Sequence, residues 1–190
     1  KLLLSLVQQD RLKNILERLV NEEEFLSPGG IRALSKYHEK TPYSVHIDNI
    51  EYAIQYDPGD STSSFFGGNS NWRGPVWIPI NYIPIQSIRK YGEFYGDDLL
   101  IECPTGSGNK MNLNQVADEL SKRVISLVEK DDEGKRNIYG KDNWFYQQPG
   151  NENLVLFYEY FHGDDGHGLG ANHQTGWTSL VAQLIREMNK

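Results

Sequence analysis

The sequence predicts an all-α fold with long loops and a short strand-like segment. Four stretches carry apolar residues at the spacing of a helix that is buried on one face. The segments between them are rich in glycine, proline and polar residues, and only the patch from Tyr52 to Tyr56 looks like a strand. These segments exceed the roughly 2 to 8 residues that join helices in a free-standing bundle. The loops are therefore expected to carry the function.

The first predicted helix has a regular pattern with a clear end, and the second contains an internal proline. From Gln8 to Val20 apolar residues recur at helical spacing, and the stretches NEEEF and SPGG then end the pattern. The second helix starts after Pro75 and continues to about Tyr95. Because proline lacks a backbone donor, Pro84 is expected to kink or divide this helix.

The last two predicted helices have the most regular patterns. Residues 113–130 follow a capping-box-like start, in which Asn112 precedes Gln115 by three residues. The final helix is predicted to begin near Thr175, with apolar residues that recur every three or four positions.

Composition and charge exclude several classes of function. The chain has 190 residues, a formal charge of -7 and no long cationic block, so neither nucleic acid nor an anionic membrane surface is predicted as a partner. No run approaches the roughly 20 apolar residues that span a bilayer. The single cysteine, Cys103, allows no internal disulfide and fits a cytoplasmic location. The apolar opening KLLLSLV, without an initiating Met, is typical of the carboxy-terminal part of a longer protein.

One carboxylate, Glu159, lies in the aromatic and aliphatic run LVLFYEYF at 154–161. If this run is a strand, Val155, Phe157, Glu159 and Phe161 share one face. A carboxyl group among apolar side chains suits proton transfer near neutral pH. The alternative is an exposed element with Glu159 in water, and this stretch alone leaves both open.

The glycine-rich segment HGDDGHGLGANH at 162–173 contains several potential metal ligands. They are His162, Asp164, Asp165, His167 and His173. Their spacing matches no standard zinc or calcium loop, and the glycines instead favour a tight turn close to a ligand. The prediction is a site without a metal. No cofactor is predicted, because PTGSGNK at 104–110 lacks the glycine and the Ser or Thr that a phosphate-binding loop requires.

Trp72 and Arg73 lie at the predicted entrance of the second helix. A flat apolar ring and a forked donor at this position suit a sugar ring and its hydroxyl groups. The alternative is that the tryptophans fill a core and that Arg73 is a surface or ion-pair residue. Both can be partly true.

Three segments together resemble the catalytic domain of glycoside hydrolase family 63, which includes processing α-glucosidases and mannosylglycerate-hydrolase-like proteins. They are LSPGGIRALS at 26–35, GGNSNWRGPVWIPINY at 67–82 and HQTGWTSLVA at 173–182. The resemblance runs from about Phe25 to the end of the chain. It implies that residues 1–190 are the carboxy-terminal portion of one such domain, with the rest of the domain as a partner. It also implies that the helices form part of an α/α toroid of six helical hairpins.

The resemblance implies an inverting α-glycosidase whose substrate is an oligosaccharide or a small glycoside. In the family the catalytic base is a glutamate in an aromatic stretch before the segment that matches HQTGW, and Glu159 corresponds to it. Matches to the family's pocket helix and closing segment imply sugar contacts at Trp72, Arg73, Trp77, Asn81, Tyr82, His173, Gln174 and Trp177. The family's catalytic acid is an aspartate upstream of these segments. Residues 1–190 alone are therefore expected to be inactive.

Two other functions remain open at this stage. One is a non-catalytic carbohydrate-binding or scaffolding module that keeps the aromatic residues of the pocket. The other is a purely structural helical domain, which would not bind sugar saturably. Asp48, Asp57 and Asp60 are local carboxylates, but none of them lies in the family's acid motif.

Overall fold

The computed structural model describes residues 2–60, 72–173 and 176–189, and these ranges contain five α-helices and eight strands. The helices are α1 (Gln9–Leu19), α2 (Ile78–Tyr95), α3 (Leu113–Ser126), α4 (Asn143–Tyr146) and α5 (Leu180–Met188). The strands are β1 (Leu26–Ser27), β2 (Gly30–Ile31), β3 (Tyr43–Ile47), β4 (Ile50–Ile54), β5 (Leu100–Glu102), β6 (Lys110–Asn112), β7 (Tyr160–Phe161) and β8 (Gly168–Leu169). Each odd-numbered strand pairs antiparallel with the next, which gives four two-stranded sheets.

The prediction of an all-α fold is wrong. The chain is mixed, with 39% of the described residues helical and 15% in strands. Turn chemistry explains the missed β3–β4 hairpin, because Asp48 and Asn49 both have positive φ angles and join β3 to β4 in a two-residue turn. Over the described residues, the packing of the helices does not indicate a toroid, so the prediction of six helical hairpins is not supported.

The predicted helices are present with adjusted ends. Helix α1 matches the prediction, and α3 begins with the predicted capping box at Asn112 and Gln115 but ends at Ser126. Helix α5 begins at Leu180 because residues 176–179 form turns. Pro84 lies inside α2 without dividing it. The carbonyl that Pro84 leaves without a donor belongs to Ile80, which is 38% exposed, so water can satisfy it.

The hydrophobic core lies where α2, α3 and α5 pack together. Its fully buried side chains include Ile85 on α2, Leu120 and Val124 on α3, and Leu184 on α5. These residues recur at helical spacing, so each helix buries one face. Among the described residues, none of the helices combines the length and the apolar character needed to cross a membrane.

A backbone contact brings two distant segments of the chain together. Val76 forms antiparallel bridges with Arg32 on one side and with Phe161 on the other. The amide of Val76 donates to the carbonyl of Phe161 at 2.8 Å, and the amide of Phe161 donates to the carbonyl of Val76 at 2.9 Å. The segment before α2 therefore lies between the β1–β2 hairpin and β7.

Asn81 joins helix α2 to the β1–β2 hairpin. Its side chain is fully buried, and its Oδ1 accepts from the amide of Ile31 at 2.6 Å. Its Nδ2 donates to the carbonyls of Ile31 at 3.1 Å and Trp77 at 2.9 Å. Gly30 has a φ of +130°, and a Cβ there would lie 2.5 Å from Asn81 Oδ1. A glycine is therefore required where the hairpin approaches this side chain.

Replacing Asn81 with Ala is expected to destabilise the protein by about 2–4 kcal/mol, because both polar backbone groups of Ile31 lose a buried partner. Urea-induced unfolding of the full-length protein measures this change. Asn14→Ala is the matched control, since Asn14 is an exposed residue of α1. The control is expected to change stability by less than about 0.5 kcal/mol. An equally small change for Asn81→Ala would contradict the role given to this side chain.

Candidate active site

Glu159 lies immediately before β7, and its side chain is half-buried. Its amide donates to the carbonyl of Ala171 at 2.9 Å, and its Oε2 accepts from the amide of Ala171 at 3.1 Å. Trp177 donates its indole N–H to the carbonyl of Glu159 at 2.9 Å. Three hydrogen bonds therefore fix both the backbone and one carboxylate oxygen of Glu159. The regular strand starts only at Tyr160, so residues 154–158 do not form the longer strand considered from the sequence.

Four aromatic rings gather beside Glu159. Trp77 is buried, and it stacks on Trp72 with ring centroids 4.2 Å apart and an interplanar angle of 6°. It also stacks on Tyr160 at 4.8 Å and lies 5.8 Å from Trp177 at 59°. Trp72 is 50% exposed and Trp177 is 37% exposed. The cluster thus has a buried centre and two tryptophans that are partly open to solvent.

Tyr160 and Asp60 complete this region and were not predicted as site residues. The Tyr160 hydroxyl donates to Asp60 Oδ1 at 2.5 Å. Burial, together with the Asp60 and Glu159 carboxylates, raises the pKa of Tyr160 above its ordinary value, so the hydroxyl stays protonated and remains a donor. The only sequence signal for Tyr160 is its place in the aromatic run next to Glu159. The partner Asp60 is 100 residues away in the chain, and no local pattern indicates it.

The other predicted sugar contacts are distributed between the core and the surface. Arg73 is buried and pairs with Asp57 at 3.4 Å. Asn81 is bonded to the backbone as described above, which favours a structural role, and Tyr82 packs against the hydrophobic core. His173 is exposed, with its ring 5.9 Å from that of Phe157. Gln174 lies outside the described residues, as does GGNSN at 67–71.

A charged cluster fixes the turn between β7 and β8. Asp164 Oδ1 accepts from Arg32 at 3.2 Å, from Lys36 at 3.1 Å and from the Tyr56 hydroxyl at 2.9 Å. Burial alone would raise the pKa of Asp164, but the Lys36 ammonium, the Tyr56 hydroxyl and the Arg32 guanidinium outweigh it and hold this pKa below its ordinary value. The carboxylate therefore stays charged and ties the turn to the segment after β2.

The same turn brings His162, Asp165 and His167 together. Asp165 Oδ1 lies 2.6 Å from His167 Nδ1 and 3.3 Å from His162 Nδ1, and the two imidazole rings stack 4.7 Å apart. A cavity of about 710 Å³ opens beside this turn, and its lining includes Asp165, His167, Tyr158 and residues 137–143. Among the described residues that line this cavity, neither Glu159 nor any tryptophan is present.

Comparison with known proteins identifies the family. The sequence model of the glycosyl hydrolase family 63 C-terminal domain matches residues 1–187. The chain belongs to this family. The resemblance noted from the three sequence segments is therefore confirmed.

Relatives within family 63 include proteins from two yeasts. The uncharacterized protein YMR196W of Saccharomyces cerevisiae is 50% identical over 190 residues, which are 99% of this chain and 18% of that protein. The mannosyl-oligosaccharide glucosidase of the same yeast is 31% identical over 122 residues, 64% of this chain and 12% of that protein. A probable mannosyl-oligosaccharide glucosidase of Schizosaccharomyces pombe is 28% identical over 179 residues, 93% of this chain and 15% of that protein. The chain thus spans less than a fifth of the length of each relative.

The family is described as glycosyl hydrolase, and two of the yeast relatives are named mannosyl-oligosaccharide glucosidase. Neither the inverting mechanism nor the catalytic role of Glu159 follows from membership alone.

Replacing Trp177 with Phe is expected to loosen the backbone around Glu159, because phenylalanine keeps a ring but loses the donor to the Glu159 carbonyl. Loss of a hydrogen bond worth about 1 kcal/mol raises local opening about fivefold. Hydrogen exchange of peptides that contain the amides of Glu159 and Ala171 measures this opening.

Trp144→Phe is the matched control for this experiment. Trp144 is 64% exposed, and its ring contacts that of the neighbouring Phe145. Exchange at Glu159 is expected to be unchanged in this control. Equal exchange in the Trp177→Phe variant and the unmodified protein would show that the indole N–H does not fix this backbone.

Proposed function

We propose that this chain provides Glu159 as the general base of an inverting α-glycosidase. The observation that carries the proposal is the position of Glu159 beside a cluster of aromatic rings, with its carboxylate bonded to the Ala171 amide and its backbone carbonyl bonded to the Trp177 indole. Family 63 membership and the relatives named mannosyl-oligosaccharide glucosidase support the same reaction class. The proposed substrate is an α-linked oligosaccharide or a small glycoside.

The two carboxylate oxygens of Glu159 have different surroundings. Oε2 accepts from the amide of Ala171, which fixes the plane of the carboxylate. Over the part of the chain that the structure describes, no hydrogen bond to Oε1 occurs, so Oε1 can accept from a water molecule. In the proposed reaction this oxygen removes a proton from that water as its oxygen attacks the anomeric carbon. The bond to the departing sugar oxygen breaks on the opposite face of the ring.

The aromatic cluster provides the surface on which a sugar ring can bind. Trp72 and Trp177 are partly exposed, whereas Trp77 and Tyr160 support them from within. The apolar face of a pyranose packs against such rings, and binding on a rigid platform limits the entropy lost on association. We therefore assign Trp72 and Trp177 to substrate binding and Trp77 and Tyr160 to their support.

Inverting hydrolysis also needs a carboxylic acid that protonates the departing oxygen. The two carboxyl groups of inverting enzymes lie roughly 6.5–9.5 Å apart, which leaves room for the attacking water. Asp57 pairs with Arg73, and Asp60 accepts from the Tyr160 hydroxyl, so these two aspartates already have other partners. Since the chain spans 18% or less of each relative's length, we assign the acid to the rest of the catalytic domain.

Replacing Glu159 with Gln in the full-length protein is expected to lower kcat by about 10²–10⁴-fold, because glutamine keeps the shape of the side chain but cannot accept the proton. KM is expected to change little, since the aromatic platform is unaltered. Initial rates on a panel of α-linked glucosides and mannosides measure both constants. Glu152→Gln is the matched control, because Glu152 is an exposed residue of the preceding segment. Activity undiminished by Glu159→Gln would refute the assignment of the base.

The anomeric configuration of the first product tests whether hydrolysis inverts the anomeric centre, which is a separate question from whether the protein is a glycosidase. Proton NMR during early hydrolysis is expected to show the inverted anomer, and a retained anomer would refute an inverting mechanism. Saturable binding of the same sugars without turnover by the unmodified full-length protein would instead indicate a carbohydrate-binding module.

A further inference from the structure

The turn between β7 and β8 gathers three groups that bind metal ions in other proteins. His162, Asp165 and His167 each offer one ligand atom, and these atoms lie within 4.8 Å of one another. Imidazole nitrogen and carboxylate oxygen are ligands that zinc-class divalent cations prefer. The spacing of these residues in the sequence predicted no metal, because it matches no standard zinc or calcium motif. The fold nevertheless brings these three residues to one point.

The distances are close to those of a tetrahedral site. Bonds of 2.0–2.1 Å from zinc to nitrogen and oxygen place neighbouring ligand atoms about 3.3 Å apart in a tetrahedron. Asp165 Oδ1 already lies 3.3 Å from His162 Nδ1. Its distance to His167 Nδ1 is 2.6 Å, and all three ligand atoms lie within 4.8 Å of one another, so side-chain movements of about 0.7–1.5 Å would bring them to tetrahedral spacing.

The hydrogen bonds of His162 give a physical reason for a cation here. The amide of Asp164 donates to His162 Nδ1 at 3.3 Å, so this nitrogen carries no proton, and a cation would take its lone pair in place of this long hydrogen bond. Asp165 Oδ1 lies 3.3 Å from the same nitrogen, and a carboxylate oxygen is also an acceptor. Two acceptors at this distance repel each other unless a positive charge lies near both. A metal ion would supply that charge.

The neighbouring groups leave this site accessible and separate from the charged cluster. Asp164, the other acid of the turn, already binds Arg32, Lys36 and Tyr56. Asp165 and His167 line the cavity of about 710 Å³, so a further ligand can approach the ion from that side. Three protein ligands leave a fourth tetrahedral position for water or a ligand atom.

We infer that His162, Asp165 and His167 form a binding site for a zinc-class divalent cation. The ion would join the two ends of the turn that follows β7, and β7 begins directly after Glu159. The inference rests on the ligand geometry and does not depend on the proposed glycosidase activity.

Titration with Co²⁺ tests this inference directly. The full-length protein is prepared without a histidine tag, treated with a chelator and dialysed. Visible absorption is then recorded as Co²⁺ is added at micromolar concentration. The unmodified protein is expected to show d–d bands. Their intensity should saturate when the protein has bound one more equivalent of Co²⁺ per chain than the Asp165→Asn variant binds. These bands are expected to disappear when Zn²⁺ displaces Co²⁺.

Single substitutions assign the ligands. Asp165→Asn and His167→Gln are each expected to weaken Co²⁺ binding by at least about tenfold. Loss of a group that only hydrogen-bonds to a metal ligand already lowers metal affinity about 10- to 100-fold, and loss of the ligand itself lowers it at least as much. His46→Gln is the matched control, since His46 is exposed on β3, and it is expected to leave the titration unchanged. Far-UV circular dichroism of each metal-free variant checks that it is folded. Should the unmodified protein bind no Co²⁺ or Zn²⁺ in this range, or should both variants titrate like the control, the site is overturned.

Discussion

The pair of hydrogen bonds between Val76 and Phe161 is the constraint on which the candidate site depends. These bonds, 2.8 and 2.9 Å long, join segments that are 85 positions apart in the chain. Trp77 follows Val76, and Glu159 and Tyr160 precede Phe161, so pairing these two backbones also brings the rings and the carboxylate together. Because Val76 bridges to Arg32 on its other side, the same short segment also positions the β1–β2 hairpin. One backbone register therefore sets the relative positions of three parts of the site.

Short hairpins of two residues per strand are not stable by themselves, so other interactions must maintain this register. Around β7 and β8 these interactions are polar and partly buried: Asp164 binds Arg32, Lys36 and Tyr56, and Glu159 binds Ala171. Buried polar groups that are fully bonded favour a single arrangement, since every alternative leaves a donor or an acceptor without a partner. Asn81 does the same for β2, where Gly30 allows the close approach. Much of the geometry of the site is thus maintained by hydrogen bonds rather than by apolar packing alone.

Local patterns in the sequence indicated the helices but not the hairpins. The capping box at Asn112 and the apolar face of α1 are encoded within one or two turns of helix, so both could be predicted. The turn at Asp48 and Asn49 depends on two positive φ angles that periodicity does not report. Family resemblance indicated Glu159 and the tryptophans. Tyr160 was missed because side chains alternate along a strand, which would place Tyr160 on the face opposite Glu159. Contacts such as Tyr160 with Asp60 and Asn81 with Ile31 join distant positions, and a single sequence carries no local signal for them.

The segment from Glu159 to His167 contains the proposed general base and the turn that carries the proposed cation ligands. Different interactions fix these two parts. The general base that we propose must lie within a fraction of an ångström of its working position, which calls for support from rigid neighbours. Glu159 receives this support from Ala171, beyond β8, and from Trp177, before α5. The turn between β7 and β8 is fixed separately, by Asp164 on one side and by the two histidines around Asp165 on the other. A cation bound by His162, Asp165 and His167 would stiffen the turn without contact with the substrate. Removal of the metal would then act on the position of Glu159 and lower kcat more than it raised KM.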